Sequence, residues 1–132
     1  MPPVTFTAAQ IVAHLVGDYL IQSDRMALEK TRSTFWAALH AITYAIPFLL
    51  LTRAPLALAV VVGTHLVIDR WRLARYVVWA KNAVGGSYAP WAECKGTGYH
   101  KSRPEWLAVW LLILTDNTMH LVCNAVALSW WP

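Results

Sequence analysis

Apolar residues fall into four long stretches, and the polar residues that interrupt them recur at steps of four. The first stretch, Ala8–Ser23, gives way to a polar connection of mixed charge, Asp24–Ser33. The second, Thr34–Leu51, holds His40 and Pro47, and a short turn at Thr52–Ala54 leads out of it. The third begins at Pro55, stays apolar to Ile68, and continues as one predicted helix into the basic, aromatic run RWRLARYVVWAKN. The fourth, Glu105–Trp131, is the longest. These lengths and periods predict an all-α chain in one domain, with helices over about 8–23, 34–51, 55–80 and 105–131. Thr5 or Thr7 is placed to cap the first helix. Residues 83–103, rich in Gly and Pro, form the one long loop, a length that usually covers a site or binds something.

Composition moves this picture into a membrane. Hydrophobic residues make up 58% of the chain and charged residues 14%, below the roughly 25% of soluble domains. Eight Trp are present, with Trp106 and Trp110 at one end of the fourth stretch and Trp130 and Trp131 at the other, as in two interfacial belts. The expectation is a polytopic membrane protein with four transmembrane helices in an antiparallel bundle and a basic interfacial extension after Asp69. The first stretch is shorter than the roughly 20 residues a span needs. Its N-terminus lacks the basic region of a cleaved signal peptide.

Charge then orients the bundle. The net charge is +4, but ten of the eleven Lys and Arg lie on one side if all four stretches cross. Arg25, Lys30 and Arg32 occupy the first connection. Arg70, Arg72, Arg75, Lys81, Lys95, Lys101 and Arg103 occupy the third. Only Arg53 lies opposite. The positive-inside rule makes the basic side cytoplasmic and puts both termini outside an inner membrane. The basic residues are therefore read as facing lipid headgroups, and no nucleic-acid partner is expected; homo-oligomerisation stays open. Cys94 and Cys123 have no metal-knuckle spacing and are expected to remain unpaired.

Polar residues inside the apolar stretches carry the candidate chemistry. His14, Asp18 and Gln22 stand on one helical face, His65 and Asp69 repeat the spacing, and Asp116 and His120 repeat it in reverse. The helix carrying the reversed pair runs the other way, so each Asp lies one turn nearer the cytoplasm than its His. HLV recurs at His14, His65 and His120, an internal echo consistent with duplicated helix hairpins.

An ionised Asp in mid-membrane costs roughly 2.5–3.5 kcal/mol on insertion scales, so three need compensation. One source is hydrogen bonding between His and Asp across the bundle. The other is metal. His14, Asp18, His40, His65, Asp69, Asp116 and His120 are the candidate ligands, for one or two divalent ions. Three carboxylates balance two divalent cations and a bridging hydroxide, an arrangement that generates a nucleophile and clamps a phosphoryl or acyl transfer. The mixed His/Asp set admits zinc, manganese or iron. Asp18 and His40 are the candidate general base and acid. Gln22, Lys30, Arg72, Arg75 and Asn117 are candidates for substrate or supporting contacts, with Asn124 beside them. His100, in the loop, has no partner at ligand spacing.

The run HLVGDYLIQSDRMALEK, the single His40, THLVIDR and DNTMHL together resemble a family of small bacterial and phage membrane proteins of unknown function. Some members carry the label of membrane-bound metal-dependent hydrolase. The resemblance implies a helical membrane fold with His14, Asp18, His65, Asp69, Asp116 and His120 as its shared polar set. The function expected is hydrolysis of a phosphorylated or lipid-linked substrate at the cytoplasmic leaflet. Three alternatives stand beside it: transport of protons or a metal ion, a haem or di-iron cofactor bundle, and a non-enzymatic phage or host membrane factor with a structural metal.

Overall fold

A computed structural model describes residues 1–131 as helices and connecting segments, with no strand among the described residues. Helix α1 (Ala8–Leu15) opens with a capping box: Thr7 Oγ1 accepts from the Gln10 backbone N–H, and Gln10 Oε1 accepts from that of Thr7. It runs directly into a π-helical turn, Val16–Ile21, and ends where Gln22 becomes extended. A π turn re-aims the side chains after it and is frequent at functional sites. Gly17 makes this one fit. A Cβ there would lie 2.7 Å from the Tyr44 carbonyl oxygen, so only glycine lets the turn approach so closely.

Helix α2 (Asp24–Glu29), capped by Ser23, occupies the middle of the connection expected to be a loop. Helix α3 (Thr34–Tyr44) tightens into a 3-10 turn at Ile46–Leu50, where Pro47 supplies no N–H. Helix α4 (Pro55–Arg70) starts with Pro in its first turn, where the missing donor costs nothing. The single helix expected over 55–80 is two helices, because Arg72 adopts a left-handed conformation with φ 50° and α5 (Leu73–Val84) begins afresh after it. The long loop contains a short α6 (Trp91–Cys94), and α7 (Glu105–Trp130) is a continuous 26-residue helix. Both cysteines are free.

The chain divides into two compact units, residues 1–71 with 120–131, and Arg72–Met119. In the first, α3 packs on α4, and Ala13, Tyr44, Phe48, Val61 and Ala127 form an apolar cluster. Buried Ala37, Ala41 and Ala57 allow close helix approach. Beside them lies a polar interior: Gln10, His14, Asp18, His40, His65, Asp69, His120 and Asn124 are all buried. Large apolar side chains, among them Val12, Leu20, Phe35, Ile42, Leu50 and Leu56, face outward.

In the second unit, Arg72 Nη2 and Arg75 Nη1 donate to the carbonyls of Gly96 and Lys95 (2.8 and 2.7 Å), and Trp79 Nε1 donates to Ala89 O. These bonds tie the loop down on α5. Gly98, at φ 87°, lies against the Arg75 carbonyl, where a side chain has no room. By length and composition, α7 is the one helix among the described residues able to cross a membrane, and Ala8–Ile21 and Thr34–Leu50 are shorter apolar helices.

Candidate metal centre

Three helical segments of the first unit each deliver one or two polar side chains to one buried point. The π turn brings Asp18, α3 brings His40, and α4 brings His65 and Asp69 one turn apart. One donor atom from each of these four residues lies within 4.8 Å of all the others. His40 Nε2 is 2.9 Å from His65 Nε2, 3.1 Å from Asp18 Oδ1 and 3.3 Å from Asp69 Oδ2. His65 Nε2 is 3.2 Å from Asp69 Oδ2 and 3.4 Å from Asp18 Oδ1.

Those separations have a simple geometric reading. A tetrahedral cation with bonds of about 2.0–2.1 Å to N and O places its ligands about 3.3 Å apart. The five distances, 2.9 to 3.4 Å, lie close to the edges of that tetrahedron. Hydrogen bonding alone satisfies the group less well, since at most one proton fits between two facing ring nitrogens 2.9 Å apart. His40 Nδ1 and His65 Nδ1 are buried without a hydrogen-bond partner in the protein, as is Gln22 Oε1. The histidines are therefore held by packing rather than by a second hydrogen bond. The ring of Tyr44 stacks on His65 with centroids 3.6 Å apart and planes at 16°.

Each carboxylate turns its second oxygen to another histidine. Asp69 Oδ1 is 3.1 Å from His120 Nε2, and Asp18 Oδ2 is 3.7 Å from His14 Nε2. An inner pair, His40 and His65, and an outer pair, His14 and His120, thus flank the same two carboxylates. On the far side of His14, its Nδ1 is 2.8 Å from the Tyr44 hydroxyl, which also accepts from Asn124 Nδ2 at 2.7 Å. A ring nitrogen engaged in this way orients the other one, as supporting partners of metal-binding histidines do. Lys30, the residue that ends α2, donates from Nζ to Asp69 Oδ2 at 2.7 Å.

Six of the seven expected ligands, His14, Asp18, His40, His65, Asp69 and His120, are brought together in the first unit. Asp116 and Asn117 lie in the second unit on α7, both half-buried, with Asp116 one turn before His120. Gln22 has left the helical face it was expected to share, because the π turn ends before it. Arg72 and Arg75 hold loop carbonyls. His100, which the sequence leaves without a partner at ligand spacing, pairs with Glu93 (2.9 Å) and meets Ser102 Oγ at 2.6 Å. The hydrogen bonds from His100 and then Lys101 hold the Glu93 carboxyl below its usual range. Tyr44 was not among the expected residues, although it stands four residues after His40, the same step that marks every other pair.

Fold and donor cluster define an all-helical protein built around a buried His/Asp group able to hold a metal ion. The sequence pattern of the family described as Protein of unknown function (DUF3307) matches residues 6–131, and the chain belongs to that family. No curated protein and no solved structure matches it.

Proposed function

We propose that this chain is a polytopic membrane protein that binds a divalent metal at Asp18, His40, His65 and Asp69 and uses it to hydrolyse a phosphorylated or lipid-linked substrate at the cytoplasmic leaflet. The observation that carries the metal is the set of donor separations, which suits a cation in tetrahedral coordination better than a hydrogen-bonded group. Two bridging carboxylates with a histidine on each outer oxygen also suit a second cation. Two metals on shared carboxylates activate water and clamp the oxygens of a phosphoryl transfer. Asp116, four residues before His120, is the third carboxylate of that version on sequence spacing. Asp18 and His40, the base and acid expected from the sequence, act in this reading as ligands.

Membrane placement is supported by the reversed distribution of polarity. A water-soluble helical domain buries its large apolar side chains and exposes its charges. Here the buried set is rich in His and Asp, and Val12, Leu20, Phe35, Ile42 and Leu56 face outward. The apolar stretch of α7 is only 22% buried, unlike the core helix of a soluble protein. Four crossings with the basic connections cytoplasmic fit this surface and the one-sided Lys/Arg distribution.

Metal-loaded protein in lipid nanodiscs, offered phosphomonoesters and lipid phosphates, is expected to release phosphate, with Asp69→Asn inactive. Release that is absent at every metal loading contradicts hydrolysis. A second reading, a structural metal in a non-enzymatic membrane factor, draws on one observation: four protein donors converge on one point, as many as a closed structural site uses. Full biological activity in an Asp18→Asn, Asp69→Asn double variant that still folds would exclude both.

A further inference from the structure

Lys30 and a metal cation lay claim to the same oxygen. Asp69 Oδ2 is one of the four converging donor atoms, 3.2 Å from His65 Nε2 and 3.3 Å from His40 Nε2, and Lys30 Nζ sits 2.7 Å from it. The two side chains differ in freedom. Asp69 is buried on α4, whereas the Lys30 side chain is 18% exposed and springs from the end of α2, a six-residue helix with no buried residue. A cation bound to Oδ2 at about 2.0–2.2 Å stands within about 5 Å of the ammonium as it lies. At that separation in a low-dielectric interior, a double and a single positive charge repel strongly.

We propose that Lys30 is a displaceable counter-ion: it neutralises Asp69 when no metal is bound, and metal binding expels it toward the edge of the site, where it takes the anionic phosphoryl group of the substrate. The proposal rests on the metal reading above and adds the order of events. Metal comes first, and a substrate anion then bridges the metal and the released ammonium. A phosphoryl group suits this position because it carries negative charge on several oxygens and is held by Lys as a point charge. The arrangement also gives selectivity against neutral substrates, which leave the released lysine without a counter-charge.

The test uses the full chain in nanodiscs, titrated with zinc and with manganese. Lys30→Met, which keeps the stem and removes the charge, is expected to bind metal at least about tenfold more tightly, because its competitor is gone. Metal-loaded wild type is expected to bind inorganic phosphate, or phosphatidic acid doped into the disc, and metal-loaded Lys30→Met to bind neither. The two phosphate arms separate a soluble from a lipid source. In wild type, acylation of Lys30 by a water-soluble amine reagent, read by mass spectrometry, is expected to rise several-fold on metal addition, which needs no variant to fold. Unchanged or weaker metal binding in Lys30→Met overturns the proposal and leaves the metal reading intact, as does unchanged Lys30 acylation. Phosphate binding that survives Lys30→Met, or is absent in wild type, does the same. Wild type that takes up neither metal overturns both.

Discussion

Replacing Gly17 with alanine probes how the π turn positions Asp18. The added Cβ would lie 2.6 Å from Tyr44 Cδ2 and 2.7 Å from the Tyr44 carbonyl oxygen. Ordinary contact begins near 3.5 Å, so the turn and α3 must separate by roughly 0.8–0.9 Å. Rotation of Tyr44 gives no easy relief, since its ring is stacked on His65 and its hydroxyl is bonded to His14 and Asn124. The second close atom belongs to the backbone. Overpacking of this kind costs about 1–3 kcal/mol. Metal bonds tolerate about 0.2 Å, so a shift four times larger takes Asp18 out of the donor set. The expected result for Gly17→Ala is a lower unfolding temperature in detergent and a metal affinity reduced by about 10–100-fold, the range seen when a supporting group is disturbed. Gly63, around which a Cβ would meet nothing within 4 Å, is the control. Gly17→Ala that matches Gly63→Ala in both assays would refute the reasoning.

Other outcomes follow from the same contacts. Tyr44→Phe removes the partner of His14 Nδ1 and Asn124 Nδ2, and denaturant titration should show about 1–3 kcal/mol of lost stability. His65→Ala should lower bound metal to under about a tenth of wild type, while His100→Ala leaves it unchanged, read by elemental analysis of purified protein. Single cysteines introduced in the Cys94→Ser, Cys123→Ser background should label from the cytoplasmic side at Glu29 and from the outer side at Arg53; labelling from the same side contradicts the four-crossing topology. Glu93, whose carboxyl is held below its unfolded value by His100 and Lys101, stabilises the loop fully above that unfolded value. The contribution is lost as pH falls through the depressed folded value. Protection of the 91–103 amides, relative to their intrinsic exchange rates, should therefore fall as pH drops below the ordinary glutamate range, and Glu93→Gln should abolish that dependence.

The candidate ligands were legible because a polar residue in an apolar helix is costly, and a second one four residues away marks the face on which the cost is met. That logic found His14 with Asp18, His65 with Asp69, and His120, and it placed His40 by its isolation. It reached Tyr44 less well, since tyrosine among apolar residues reads as packing until its hydroxyl is seen between His14 and Asn124. Lys30 reads either as a lysine facing lipid headgroups or as a substrate or supporting contact; that its partner is Asp69, 39 residues away, comes only from the packing of α2. The helix breaks were hidden for a different reason. The helical spacing of the polar residues runs on through Val16–Ile21, and the π turn leaves no mark beyond Gly17. At Trp71–Arg72 the break depends on a left-handed arginine, a conformation that the sequence does not announce. The end of the first helix at Gln22 likewise removes the third member of a face that spacing had drawn as continuous.

The central claim is that Asp18, His40, His65 and Asp69 hold a divalent cation. X-ray absorption at the metal edge of the full chain, loaded with zinc in nanodiscs, tests it most directly. The account predicts about one or two bound equivalents with a first shell of N and O at about 2.0–2.1 Å, imidazole scattering from at least two rings, and loss of that shell in an Asp69→Asn, His40→Ala variant. Less than about a tenth of an equivalent after loading, or a shell without imidazole, would contradict it.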